Sequence, residues 1–314
     1  MKHPSIAFLL AIIIHQQCFI SPIHVSAAGD DFIRVRGVHF LLNDNLYYAN
    51  DFNGYWLMYV ASDPSQRHKV SFAFREATSH GLTVARTWAF SDGGYRPLQF
   101  SPGSYNEHMF KAWIKEMASH VKSIDRNHLL EVGLEGFYGQ EIPQRMSLNP
   151  GYNIGTDFIA NNRIPGIDFT TIHSYPDQWL GSFNDQHQVA FSNNWLNTHI
   201  QVAQNILQKP IYIAEFGKSW KDLGFSTYQR DLLFNTVYSK IHFSAKRGGA
   251  AAGGLFWQLL TEGMDSFHDG YDIVLSQSPS TANVIAQQSH KLNQIWKIFC
   301  ADKKCSDVEE GKGH

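Results

Sequence analysis

Apolar residues fall along this chain in two alternating rhythms. Short continuous runs bounded by Gly, Pro or Asn read as buried strands, and longer stretches with apolar residues three and four apart read as helices. Pro210-Ile-Tyr-Ile-Ala-Glu-Phe-Gly217 is the clearest run: four apolar residues end at a carboxylate and a glycine. Tyr48–Asn53, Leu82–Trp88, Leu129–Leu134, Phe169–His173, Ile211–Glu215 and Gly253–Trp257 make six such strands. Ahead of them, Ile33–Leu41, an Asn43-Asp44-Asn45 turn and Leu46–Tyr48 read as a hairpin. Helical spacing is predicted from Asp63-Pro64 to Gly81, over Phe110–Ile124, Asp185–Leu207, Thr227–Ala245 and Asn283–Phe299. Residues 137–166, rich in Gly, Pro and Asn, read as loop. Strands alternating with helices imply βα units around a parallel sheet, an α/β fold.

The first residues follow a different pattern. Lys2, the apolar Ile6–Ile14 and the small-residue Val25-Ser26-Ala27-Ala28 form a secretory signal, with cleavage expected after Ala27. The remainder, 28–314, is expected to be one domain in the extracellular space or cell wall. No later stretch reads as a membrane span. Of three cysteines, Cys18 falls in the signal; Cys300 and Cys305 are expected to close a small disulfide loop in an oxidising compartment.

The composition is 43% hydrophobic and 17% charged, with a formal net charge of −2. No basic stripe marks a nucleic-acid partner. Aromatic residues make up 14%, with eight Trp, and flat aromatic faces suit either a core or a sugar cleft.

Four strand exits carry related chemistry: Arg86 and Trp88, His173 and Tyr175, Glu215, and Trp257. In a parallel barrel these ends share one rim. Each residue also has an ordinary reading, as a structural ion pair, a satisfied His or a core Trp. Their convergence fits retaining glycoside hydrolysis: one carboxylate attacks the anomeric carbon and a second carboxyl protonates the leaving oxygen. A neighbouring Arg and a Tyr hydroxyl keep the attacking carboxylate ionised.

The chain resembles the plant endo-β-1,4-mannanases of glycoside hydrolase family five. The likeness lies in Tyr55-Trp-Leu-Met-Tyr59, Arg86-Thr-Trp-Ala-Phe-Ser-Asp-Gly93, Ala112-Trp-Ile-Lys-Glu-Met117 and His173-Ser-Tyr-Pro-Asp-Gln-Trp179. It continues through Ile213-Ala-Glu-Phe-Gly217, Phe256-Trp-Gln258 and Asp269-Gly-Tyr271. It implies a (β/α)8 barrel, a mannan-type polysaccharide substrate, a monomer, and no metal or cofactor. It also implies Glu215 as nucleophile, Arg86 and His173 as its supports, and Trp88, Tyr175, Trp179 and Trp257 along the sugar subsites.

One part of the family pattern is missing. The acid/base of these enzymes sits in an Asn-Glu-Pro motif ending the fourth strand, and this chain has none. Tyr105-Asn-Glu-His-Met-Phe110 runs straight into the next helix, so strands three and four are expected to be absent through an internal deletion near 106–112. Asn106-Glu107 has no strand before it and reads as helix capping. Glu135, at the exit of Leu129–Leu134, is the substitute candidate for the acid; it also reads as a loop anchor. An incomplete barrel with impaired or absent activity is therefore expected. A non-catalytic mannan-binding relative and a poorly folding product of a degenerate gene copy are the alternatives.

Overall fold

The structure is a computed structural model. It describes residues 32–87, 99–101, 104–105, 114–115, 118–119, 121–123, 125–150, 156–181 and 185–309, of which 58, 59, 62, 99–101, 104–105 and 296–309 are described by backbone alone. The proposed signal, Trp88, Asn106-Glu107 and the side chains of Cys300 and Cys305 lie outside the described residues.

The N-terminal hairpin has an extra turn. β1 (Arg34–Arg36), β2 (His39–Leu42) and β3 (Asn45–Tyr47) form an antiparallel meander in that order. Asn43 and Asp44 both adopt positive φ, 51° and 60°. Those angles belong to a two-residue I′ turn, whose twist matches the flanking strands and which Asn and Asp tolerate. β4 (Ala49–Asn53) follows, then a short helix α1 (Leu57–Ser62), ahead of the first expected helix, then α2 (Arg67–Ser79). Ala73 and Ala77 form the buried stripe of α2. Gly81 beyond its end has φ +75°, and a Cβ there would lie 2.7 Å from Ser289 Cβ, so only Gly fits the stop.

β5 is laddered only over Ala85–Arg86, although Phe52 N–H to Val84 O (3.4 Å) and Gly54 N–H to Arg86 O (2.8 Å) continue the contact with β4. Two short strands, β6 (Gln99–Ser101) and β7 (Ser104–Tyr105), pair with each other. The 137–166 stretch is more ordered than its composition suggested. It holds a 3₁₀ turn at Pro143–Leu148 and a helix, α3 (Phe158–Asn162), capped by Asp157 through the Ile159 and Ala160 N–H groups. β8 (Thr170–Ser174), α4 (Pro176–Leu180), α5 (Asp185–Val202), β9 (Ile211–Phe216) and α6 (Thr227–Lys246) come next. α5 runs on into a wider π turn over Ala203–Leu207, and α6 opens with a reciprocal capping box between Ser226 and Gln229. β10 (Ala251–Phe256), the small parallel pair β11 (Leu259–Leu260) and β12 (Ile273–Val274), and α7 (Pro279–Glu309) complete the chain.

The central sheet is all-parallel, in the order β5-β4-β10-β9-β8. Its outer face packs on the helices through Trp56, Trp195, Phe216, Phe234 and Phe256, each fully or almost fully buried. Full burial of such side chains is worth roughly 1.5–3 kcal/mol each. Its inner face carries a second cluster, with Phe40 of the meander set against Val84, Phe169, Tyr212 and Leu255. The meander thus closes the floor of the barrel.

Six laddered strands were expected, and five are found in this sheet. Leu129–Leu134 runs beside β8 but does not ladder. Asp168 N–H bonds Leu130 O (2.8 Å) and His173 N–H bonds Glu135 O (3.1 Å). Between them the Thr171 hydroxyl takes Val132 O (3.2 Å). β5 and this segment are not neighbours in the sheet; a gap separates them, one of the two arrangements open to a barrel short of two strands. Val84 and Arg86 at the one, and Leu129 and Glu131 from the other, line the same cavity. An intact barrel interior is filled by side chains; among the described residues, a cavity lined by Phe40, Val84, Leu129 and Tyr212 remains here. Among the described residues, no helix is long and apolar enough to cross a membrane.

Candidate active site

The site is built by an irregularity in β9. Between β8 and β9 the register runs Ile172 to Ile213 and then His173 to Glu215, so β9 has one extra residue, Ala214. β10 shows the same step, from Gly254–Ile213 to Phe256–Phe216. A bulge of this kind turns two successive side chains to one side. Ala214 already faces the interior, and the bulge lets Glu215 face it too, while Phe216 returns to the outer core.

A bulge also leaves a carbonyl without its ladder partner, and a buried unpaired carbonyl is costly. Asn53, fully buried at the end of β4, meets that need. Its amide donates to Ala214 O (2.9 Å), with Phe256 O and Leu255 O at 3.2 and 3.3 Å. Its oxygen accepts from Arg86 (3.1 Å). One side chain thus holds both the bulge and the cation beside it. Asn53→Ala is expected to destabilise the protein by about 1–3 kcal/mol, the cost of orphaning a buried acceptor. Urea unfolding measures this, and an unchanged midpoint would remove Asn53 from the account.

Three groups converge on Glu215. Arg86 Nη1 lies 2.6 Å from Oε1, the Tyr175 hydroxyl donates to Oε2 at 3.0 Å, and His173 Nε2 stands 3.5 Å from Oε1. Burial alone would push this carboxyl up; the charges of His173 and Arg86, with hydrogen bonds from Arg86 and Tyr175, hold it below its ordinary 4.5. Glu215 is therefore an ionised, oriented carboxylate at neutral pH, which is the state a nucleophile requires. Burial pushes Tyr175 well above its ordinary value, so its hydroxyl remains a donor.

Glu135 faces Glu215 across the His173 ring, its Oε2 3.4 Å from Nδ1. Trp257 is half-buried; its indole N–H donates to Asp269 (2.5 Å), and Tyr55, 40% exposed, leans on it at 6.3 Å. The same Asp269 carboxylate accepts from Gln258 (2.9 Å). Trp179 is placed differently from a sugar platform. It is 8% exposed and packs among Phe137, Tyr175, Phe191 and Trp195, so it supports Tyr175 from behind.

Sequence reasoning passed over Asn53 and Glu131. Glu131 is buried below the site, accepts from Thr171 (2.8 Å), and is pushed up by burial against the pull of Arg86. Its signal was visible: a carboxylate inside the apolar run Leu129-Leu-Glu-Val-Gly-Leu134.

A parallel α/β barrel that offers a gripped carboxylate and a half-buried Trp at the carboxyl ends of its strands has the build of a glycosidase. The profile of the GH family 5 beta-mannosidase-like proteins matches residues 107–269. Mannan endo-1,4-beta-mannosidase 7 of Arabidopsis thaliana is 48% identical, over 95% of this chain and 94% of that protein. Mannan endo-1,4-beta-mannosidase 1 of Oryza sativa subsp. japonica is 42% identical, over 98% and 96%. In fold, the family 5 mannosidase of Rhizomucor miehei superposes with a TM-score of 0.67 at 15% identity, covering 86% of this chain and all of that one. An endo-1,4-beta-mannanase from the same organism gives 0.64 at 21%, over 83% and 99%. The chain belongs to glycoside hydrolase family five, among the mannan endo-1,4-β-mannosidases. The Arabidopsis alignment runs over 405 positions against the 314 residues of this chain, which leaves at least 91 positions without a counterpart here.

Proposed function

We propose that this protein is a secreted endo-β-1,4-mannanase-type hydrolase that acts on cell-wall mannans by a retaining mechanism, with turnover well below that of a complete site. The observation that carries the reading is Glu215, ionised and held by Arg86 and Tyr175 at the end of β9. It attacks the anomeric carbon while the half-buried Trp257 supports the sugar ring. The substrate class follows from the relatives, which are mannan endo-1,4-β-mannosidases. Reduced turnover follows from the missing Asn-Glu-Pro motif. Loss of a general acid costs about 10²–10⁴ in rate. A second reading, a mannan-binding relative without turnover, is favoured by the His173 ring that separates Glu135 from Glu215.

One preparation tests both location and activity. The full chain is expressed in plant cells, the material in the medium is sequenced from its N-terminus, and it is incubated with galactomannan while reducing ends are counted. A start near residue 28 and slow turnover that disappears in Glu215→Ala are expected. A start at Met1 would count against secretion. Turnover that survives Glu215→Ala would overturn the mechanism, and galactomannan binding without turnover would favour the second reading.

A further inference from the structure

The geometry points to the His173–Glu135 pair as the proton donor of this site, in the place of the absent second carboxyl. The inference rests on the reading of Glu215 as nucleophile.

His173 is fixed by its backbone on both sides. Its N–H bonds Glu135 O at 3.1 Å, and its carbonyl accepts the Trp195 indole N–H at 2.9 Å. The β9 bulge brings Glu215 directly opposite it. The ring then stands between two carboxylates, with Nδ1 3.4 Å from Glu135 Oε2 and Nε2 3.5 Å from Glu215 Oε1. A neutral imidazole has one N–H and would turn a lone pair on one of the two anions. An imidazolium has an N–H for each. Burial, and Arg86 beside it, pull the ring's pKa down; Glu215 and Glu135 outweigh them and hold it above its ordinary 6.5. Glu131, the other carboxyl facing the ring, adds to the negative surroundings to the extent that it is ionised.

The charge balance of the reaction suits this arrangement. Glu215 forms a bond to the anomeric carbon, and the bond from that carbon to the leaving oxygen breaks. Its electron pair stays on the oxygen, which takes the proton that Nδ1, 3.4 Å from Oε2, passes to Glu135. The ring is left neutral, with its proton on Nε2. Ester formation removes the negative charge of Glu215, so His173 loses one of its two anions and becomes a stronger acid as the proton is needed. In the second half, water attacks the same carbon, its proton returns to the His173–Glu135 pair, and Glu215 leaves as carboxylate. Glu135 stands on the Nδ1 side, away from Glu215; its Oε2 is buried against the ring and the 41% exposure of its side chain lies on its other atoms, so a half-turn of the carboxyl carries a proton taken from the ring to the open side.

The test compares two substrates in the full chain. Mannan has a leaving group that needs a proton; 2,4-dinitrophenyl β-mannobioside has one that leaves without it. Glu135→Gln is expected to lower mannan turnover by about 10²–10⁴ and to slow the dinitrophenyl substrate far less; His173→Gln, which also removes a charge that keeps Glu215 ionised, is expected to slow both, mannan by the larger factor. In the unmodified protein, mannan turnover should fall with rising pH as His173 loses its proton, and dinitrophenyl turnover should not. Near-UV circular dichroism confirms that the variants fold. Equal slowing of both substrates by His173→Gln would reduce His173 to a positioning residue and overturn the proposal. So would an unmodified protein that cleaves the dinitrophenyl substrate and not mannan. If neither substrate is cleaved, or if Glu215→Ala changes nothing, it is the nucleophile reading that fails, and the proposal falls with it.

Discussion

Arg86→Met is expected to cost the fold about 3–5 kcal/mol at neutral pH, the usual penalty for stranding one member of a buried ion pair. The alternative estimate, 0–1 kcal/mol for a surface pair, does not apply here. The Arg86 and Glu215 side chains are only 10% and 12% exposed and lie 2.6 Å apart. Met keeps most of the volume and removes the charge, so the loss is electrostatic. The effect has a pH signature. In the intact protein the Glu215 carboxyl is held below 4.5, against burial, by His173, Arg86 and Tyr175. Its stabilising contribution is complete above that value and is lost as pH falls through the lower folded-state value. Without Arg86 a main opponent of burial is gone, and the carboxyl moves upward. The stability gap between variant and parent should therefore narrow as pH is lowered, because protonation relieves the stranded charge. In any measurable turnover, the acidic limb of kcat/KM should move to higher pH. Arg86→Lys restores the charge but not the planar guanidinium whose Nη1 reaches both Asn53 and Glu215, so it should recover only part of the loss. Equal urea midpoints for Arg86→Met and the parent at pH 7 would show that the pair contributes nothing net.

How much of this was legible in the sequence depends on how local each feature is. β9 was readable because its apolar run and its closing Glu215-Phe-Gly217 are contiguous. Arg86, His173 and Tyr175 could be placed on a rim because each ends a strand-like run. Their convergence on one carboxylate confirms the pattern as geometry. The inward turn of Glu215 was not readable, since the extra residue at Ala214 exists only relative to β8 and β10. Asn53 was hidden for a related reason. It acts across the β4–β10 pairing, between residues some two hundred positions apart, and sheet order cannot be read from strand order. Leu129–Leu134 has a strand's composition, yet the Thr171 side chain takes a carbonyl that a ladder would use. Trp179 follows a strand exit, and nothing in the sequence tells which way its ring turns. The packed cluster around Trp195 decided that.

The other large effect lies below the site and concerns pH rather than catalysis. Asp51, in the middle of β4, is completely buried. It accepts from Val84 N–H (2.8 Å) and Thr83 Oγ1 (3.0 Å), with the Tyr212 hydroxyl at 3.4 Å. Those bonds would lower its pKa, but burial outweighs them and pushes it from 3.8 up to about 7. The unfolded chain releases this proton near pH 4 and the folded chain only near 7. Between the two the folded form binds more protons, so stability falls as pH rises through that window. At about 1.4 kcal/mol per pH unit the loss reaches about 4 kcal/mol by pH 8. Asn has the shape of the protonated acid. In Asp51→Asn the amide oxygen can keep both the Val84 and Thr83 bonds, and the amide N–H can turn to the Tyr212 oxygen, which accepts. This variant should gain stability at pH 8, change little at pH 4, and lose most of the slope between them. The difference between variant and parent isolates Asp51 from Glu131 and His173, which are also pushed up in the fold. Urea unfolding at pH 4, 6 and 8 provides the measurement. Parallel pH curves for the two proteins would mean that Asp51 is already ionised in the folded state, with Val84, Thr83 and Tyr212 sufficient to hold its charge.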